Sequence, residues 1–299
     1  MNIRRLCGWC ALVPLGLLLG CGFTRQHAAK SQVDVVEDQP YVSASPHPKH
    51  RLDLYLPKVR HNVPLVLFVH GGFWKNQDRR YYQPFTGLHG NVGMALAQHG
   101  FAVGVTSYRL FPSANIDMQL ADVSAAAQWM VDHAKDWDGR SDALFLVGFS
   151  AGGHLVMSLC ADPARLSASG IPVAALRGCA SLSGVLDIPA LAAQKDDAFN
   201  RELTYPLFGN TTESQAAYSV FRTISPSLPP IFLLWAEKDL PFVKTASLHA
   251  LQKLQQAHKE VDSFELSGYD HSDVVLRILT DRDDLTPKLV RFLSAHSGP

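Results

Sequence analysis

A serine that is to attack a carbonyl needs a base to take its proton, an acid to orient that base and donors to hold the oxyanion. The strongest candidate is Ser150, in the run Gly148-Phe149-Ser150-Ala151-Gly152. Before it lies Ala143-Leu144-Phe145-Leu146-Val147, a short apolar run of buried-strand type. After it, Gly153 to Cys160 is compatible with a helix. A serine on a sharp strand-to-helix turn is held out as a nucleophile. Its neighbours two residues away must be small, because the turn leaves no room for side chains there. The helix start favours negative charge developing beside the hydroxyl. G-x-S-x-G is frequent by chance, so its meaning depends on partners elsewhere.

Those partners must be placed by secondary structure, and strand and helix signals alternate along the chain. Arg51 to Pro57 alternates like a half-exposed strand near a sheet edge. Pro64 to Val69 is a continuous apolar run, as in a central parallel strand. Strand patterns recur at Phe101 to Thr106, Ala143 to Val147, Val173 to Leu182, Ile231 to Ala236 and Val261 to Leu266. Helical patterns lie at Asn91 to His99, Ile116 to Ala134, Phe242 to His258, Val274 to Ile278 and Leu285 to Ser294. This alternation predicts an α/β fold, a mostly parallel central sheet with helices on both faces. Sites in such sheets lie at the carboxyl ends of the strands. Residues 187–226 break the rhythm and predict a small cap insertion over the site.

Strand ends then sort the candidates. Of 13 histidines, His271 follows the strand ending near Leu266, while His249 and His258 fall on a helix and His296 lies in the tail. Asp239 stands three residues past the strand ending at Ala236, with Glu237 as a near rival and Asp187 a distant one. The order serine, acid, histidine is that of α/β-hydrolases. Oxyanion donors are expected from Ala151 and from His70-Gly71-Gly72-Phe73-Trp74, with Gly72 and Phe73 as the donors of that loop. His70 is expected to hold the loop by hydrogen bonding rather than act as a base. Trp74 is a candidate for substrate binding. Arg109 and Asp122 are expected to brace a loop, and His154 to pack rather than react. No metal-ligand spacing and no phosphate-binding loop is present, and no cofactor is expected.

Together these segments resemble the α/β-hydrolase esterases of the hormone-sensitive-lipase and carboxylesterase type. The H-G-G-x-W run, His70 to Trp74, is similar to the branch containing kynurenine formamidases, feruloyl-esterase-like and prenylcysteine-methylesterase-like proteins. Ser107 to Pro112 with Asp117, Met118 and Asp122, Gly148 to Leu155, Ser183 to Asp187, Ser225-Pro226, Leu228 to Pro230 and His271 to Asp273 match it as well. The chain departs from the pattern at Phe73, where lipase-type loops carry a third glycine, and at Asn76, where the branch often has glycine. The resemblance implies a serine carboxylesterase acting on small or medium esters through an acyl-enzyme. An arylformamidase-type amidase is the alternative, and a non-catalytic envelope scaffold the alternative of another class.

The chain of 299 residues has a formal net charge of zero and no basic stripe, so a nucleic-acid partner is not expected. Arg4 and Arg5 precede an apolar run from Cys10 to Gly20 of about 11 residues, too short for a membrane span of about 20. Leu18-Leu19-Gly20-Cys21 resembles a bacterial lipobox, which implies cleavage after residue 20 and lipid on Cys21. Gly22 rather than aspartate then points to the outer membrane, and residues 21–45 to a tether ahead of a domain over 46–299. Only Cys160 and Cys179 remain after removal of the signal and lipidation of Cys21. Their apolar surroundings predict two buried free thiols, although an oxidising compartment permits one disulfide. The oligomeric state is not legible.

Overall fold

The computed structural model describes residues 32–83, 87–222 and 224–298. The leader, the lipobox and Cys21 therefore lie outside the described residues. Eight strands form one sheet: β1 (Val33–Pro40), β2 (Arg51–Pro57), β3 (Val63–Val69), β4 (Ala102–Thr106), β5 (Gly139–Phe149), β6 (Leu176–Leu182), β7 (Ile231–Lys238) and β8 (Val261–Asp270). Their order is β1-β2-β4-β3-β5-β6-β7-β8. From β4 to β8 every pairing is parallel, whereas β1 pairs antiparallel with β2 and β2 antiparallel with β4.

The central strands are apolar on both faces because both faces are covered. Alternate residues of β3 enter different cores. Leu65, Leu67 and Val69 join the helices α2 (Ile116–Asp132) and α3 (Ala151–Ala161), and Val66 and Phe68 join α1 (Leu88–Gln98). Short α4 (Pro163–Ala168) follows α3. Beyond β6 come α5 (Ile188–Gln194), α6 (Asp197–Phe199), a π-helical turn at Asn200–Thr204, α7 (Tyr205–Phe208) and α8 (Thr212–Ala217). Then α9 (Pro241–Gln256), α10 (Asp273–Leu276) and α11 (Thr286–His296) complete the fold. No helix among the described residues is long and apolar enough to cross a membrane.

Two expectations are corrected here. Residues 33–40 are not tether: they form the edge strand β1, so the folded domain begins before residue 46. Consequently β2 is an inner strand, buried along nearly its whole length rather than half exposed. Its charged Asp53 is tolerated inside because Arg79 Nε and Arg80 Nε donate to its carboxylate at 3.1 and 2.7 Å. The backbone N–H of Asp38 on β1 donates to the same carboxylate at 2.8 Å. A third correction concerns the cysteines. Cys160 and Cys179 are joined in a disulfide between the end of α3 and β6, with Cα atoms 6.6 Å apart.

Candidate active site

The turn from β5 into α3 places Ser150 in a left-handed conformation, φ 54° and ψ −118°, that a side chain rarely adopts. Close backbone packing holds it there. A Cβ on Gly152 would lie 2.1 Å from the Val69 carbonyl oxygen, and one on Gly148 would lie 2.3 Å from the Gly152 carbonyl oxygen. The Ser150 N–H donates to the Leu182 carbonyl at 2.9 Å, and its own carbonyl accepts from the Val185 N–H at 3.2 Å. The serine is thereby pinned to the end of β6.

His271, just past β8, brings its Nε2 to 2.9 Å from Ser150 Oγ and its Nδ1 to 2.7 Å from Asp239 Oδ1. Asp239 follows β7. The Ser183 hydroxyl donates to its Oδ2 at 2.5 Å, as does the Ala236 N–H at 3.0 Å, and the Leu240 N–H donates to Oδ1 at 2.8 Å. Burial opposes the carboxylate's charge. The bonds from His271, Ser183 and the Ala236 N–H outweigh it and hold the carboxyl below the usual aspartate value. The imidazole can thus receive a proton beside a carboxylate that stays ionised. The Phe149 ring lies 5.0 Å from the imidazole and shields one side of it.

The rival acids are occupied elsewhere. Glu237 is exposed and accepts from Ser267 Oγ and the Gly268 N–H at 2.9 and 2.7 Å. Asp187 caps α5 by accepting from the Ala190 N–H at 3.0 Å. Asp270 and Asp273 bond each other's backbone in the turn around His271.

The loop after β3 stands against this turn. A Cβ on Gly71 would come within 2.9 Å of Ser150 Cβ, so only glycine permits the approach. Gly72, Phe73 and Trp74 follow with φ of 99°, 51° and 57°. Three successive left-handed residues curl the backbone, and the Gly72 carbonyl closes the curl by accepting from the N–H groups of Lys75 and Asn76 at 3.2 and 2.9 Å. Curled N–H groups of this kind form an anion-binding concavity. Ala151 opens α3, where first-turn N–H groups lack helical acceptors.

His70 supports the loop, as its sequence context implied. Its ring is fully buried, stacked 4.5 Å from Tyr108 and 5.4 Å from His89, and its Nδ1 lies 2.8 Å from the Gly71 carbonyl. Burial and the neighbouring His89 push its pKa well below the ordinary histidine value, so the ring is neutral. Arg109 pairs with Asp122 through Nε and Nη2, and His154 packs with its Nε2 2.8 Å from the Tyr218 carbonyl. Trp74 departs from its expected position. Its ring is fully buried, edge-on to Phe208 at 4.9 Å and to His154 at 5.3 Å, and fills the space behind the loop. The partly exposed aromatic of the loop is Phe73, which meets Phe199 of α6 at 5.3 Å.

Three contributors escaped the sequence reading. Ser183 was visible only as part of a matched run, with no role attached. Lys195 and Phe199 lie in the irregular cap, where no periodicity marks which residues face inward. Among the described residues no group of three or more metal-ligating side chains is present.

Comparison with known proteins bears on the family and the fold. The family model BD-FAE matches residues 52–254. The isoprenylcysteine alpha-carbonyl methylesterase of Arabidopsis thaliana is 26% identical over 269 residues, covering 84% of this chain and 61% of that protein. The chain spans about 60% of the length of the first plant relatives it matches. The kynurenine formamidase of Danio rerio is 24% identical, with 89% of this chain and 84% of that one covered. Among solved structures, esterase B of Lactobacillus rhamnosis superposes with a TM-score of 0.72 at 20% identity, covering 92% of this chain and 93% of its own. A truncated carbohydrate esterase from gut microbiota gives 0.73 at 17% identity, covering 88% and 96%. The structural likenesses bear on the fold, and the sequence match carries the assignment: the chain belongs to the BD-FAE family and has the α/β-hydrolase fold.

Proposed function

We propose that this chain is a serine carboxylesterase. The observation that carries the reading is the continuous relay from Ser150 Oγ to His271 Nε2 at 2.9 Å and from His271 Nδ1 to Asp239 at 2.7 Å. In this reading Ser150 attacks the ester carbonyl as His271 takes its proton. N–H groups of Gly72, Phe73 and Ala151 hold the tetrahedral oxyanion, each worth about 3 kcal/mol of barrier. His271 returns the proton to the leaving alcohol, and an acyl-enzyme forms on Ser150. Water, deprotonated by the same imidazole, then releases the acid. Asp239 keeps the imidazole oriented and stabilises its cation without becoming protonated. The relatives named methylesterase support an ester substrate.

The test is hydrolysis of 4-nitrophenyl acetate and butyrate by wild type and Ser150→Ala. We expect kcat to fall by about 10⁶-fold in the variant. Equal rates in the two proteins would overturn the reading and favour a scaffold without catalysis. The relatives named kynurenine formamidase give an amide reading a specific basis. Comparing kcat/KM for N-formylkynurenine with that for an aryl ester separates them, and a faster formamide reaction makes the protein an amidase.

We also propose that the mature protein is held to the cell envelope by lipid on Cys21. The lipobox-like run supports this, as does the Cys160–Cys179 disulfide, a bond that persists in oxidising compartments. Cys21→Ser should move the protein from the membrane to the soluble fraction, and unchanged fractionation would refute the anchor.

A further inference from the structure

Among the described residues the cap carries a cation with no ion-pair partner, set against the loop after β3. Lys195 caps the C-terminal end of α5, and its side chain turns toward three phenylalanine rings. Its Nζ lies 5.3 Å from the ring centre of Phe73, 5.1 Å from Phe199 and 5.5 Å from Phe242, within cation–π range of each. Among the described residues this ammonium makes no ion pair and no side-chain hydrogen bond. The acids next to it in sequence are engaged elsewhere. Asp196 caps α6 by accepting from the Phe199 N–H at 2.8 Å, and exposed Asp197 faces Arg201 Nη1 at 3.5 Å. Burial lowers the lysine's pKa, with Asp196 only partly opposing it, which is the mark of a partly desolvated ammonium.

The three rings belong to different parts of the site. Phe73 is in the oxyanion loop, Phe199 in the cap, and Phe242 three residues beyond Asp239. The ammonium therefore stands where cap, oxyanion loop and acid loop converge. Aromatic faces offer a cation partial compensation, but they leave all three of its N–H donors open to an acceptor. Screening is weaker at a half-buried position than at the surface, so a carboxylate arriving there gains more than it would on an exposed lysine.

Resting on the esterase reading above, we propose that Lys195 is a specificity-determining residue that selects esters carrying a free carboxylate on the acyl or alcohol side. The apolar stretch between ester and carboxylate lies against Phe73 and Phe199, and the carboxylate meets the ammonium. Hydrolysis itself is unchanged: water adds across the acyl–oxygen bond and releases acid and alcohol.

Two matched pairs of substrates test this. Mono-4-nitrophenyl glutarate is compared with 4-nitrophenyl pentanoate, and 4-carboxyphenyl acetate with 4-methylphenyl acetate. For each pair the anionic-to-neutral ratio of kcat/KM is measured in wild type, Lys195→Met, Lys195→Arg and Ser150→Ala. In at least one pair the ratio should fall about tenfold in Lys195→Met, mainly through KM, and recover in Lys195→Arg. Raising salt should lower the wild-type ratio for that pair. A lysine that only straps the cap to the loop would lower both members of a pair alike and leave the ratio unmoved. Ser150-dependent turnover with unmoved ratios in both pairs overturns the selectivity and leaves the esterase reading standing. Wild-type turnover no faster than Ser150→Ala on all four esters overturns the esterase reading, and this one with it.

Discussion

The two sides of the site are held by different means. On the elbow side the backbone itself is the constraint. Gly71, Gly148 and Gly152 allow chain to touch chain, and Ser150, Phe73 and Trp74 stand at positive φ beside those contacts. On the cap side the constraint is side chains on short helices. Asp187, Asp196 and Thr211 each cap a brief turn, and Phe199, Phe208 and Lys195 reach down to the loop and the helix behind the serine. A backbone constraint tolerates almost no substitution, because nothing flexible can give way. A side-chain constraint tolerates exchange, and changes what fits as it does so. The two kinds of constraint are therefore separate by position.

The sharpest way to break this contrast is Gly152→Ala set beside Phe199→Ala. The added methyl would press on two carbonyl oxygens, those of Val69 and His70, so we expect a loss of more than about 3 kcal/mol and no activity. Phe199 is partly buried, and its truncation should cost roughly 1 kcal/mol while altering substrate preference. Urea midpoints measure both, and similar midpoints would erase the distinction.

Acid should weaken both sides through buried histidines. Burial lowers the pKa of His89, behind the loop after β3, and of His154, beneath the cap, to about 4. Both are neutral when folded and accept a proton more readily when unfolded. Their contribution is full above the unfolded value near 6.5 and is lost as pH falls toward 4. Each would then cost roughly 2–3 kcal/mol by pH 4.5. His89→Asn or His154→Asn should flatten the dependence of the urea midpoint between pH 7 and pH 4.5, and an equally steep profile in both variants would contradict the assignment.

The smallest effect belongs to the contact that joins the halves of the relay. Ser183, at φ 49° after β6, donates to the Asp239 oxygen that His271 does not use. Ser183→Ala should lower kcat about tenfold with little change in KM, because the carboxylate loses one fixed partner. A normal kcat would show that the two backbone N–H groups suffice to hold Asp239.

The positions of Ser150, Asp239 and His271 were legible because strand ends could be counted without knowing the packing: β5 and β7 contain continuous apolar runs, and β8 spaces Val261, Phe264 and Leu266 among polar residues. Ser150, Asp239 and His271 stand at the ends of β5, β7 and β8, which pair side by side with β6 between. The edge of the sheet was not legible. In Val33 to Pro40 only Val33 is fully buried, so the acidic run shows no alternation. Asp53 suggested a solvent-facing strand, since the two arginines that neutralise it come from a loop more than 25 residues later. The cysteines lie 19 residues apart, a separation that says nothing of distance until α3 and β6 are packed together. Trp74 was placed by its neighbours in sequence, but the curl of the loop turns its ring inward.

The edge strand carries a practical consequence for any shortened form of the molecule. A protein begun at residue 46 would lack β1, and β2 would present a rim of unpaired N–H and C=O groups. It would also lose the ion pairs that Glu37 and Asp38 make with Arg80, and Asp53 would lose the Asp38 N–H. An open rim of this kind templates strand pairing between copies. Such a protein would retain every residue of the relay and still be lost, through aggregation rather than through failed chemistry.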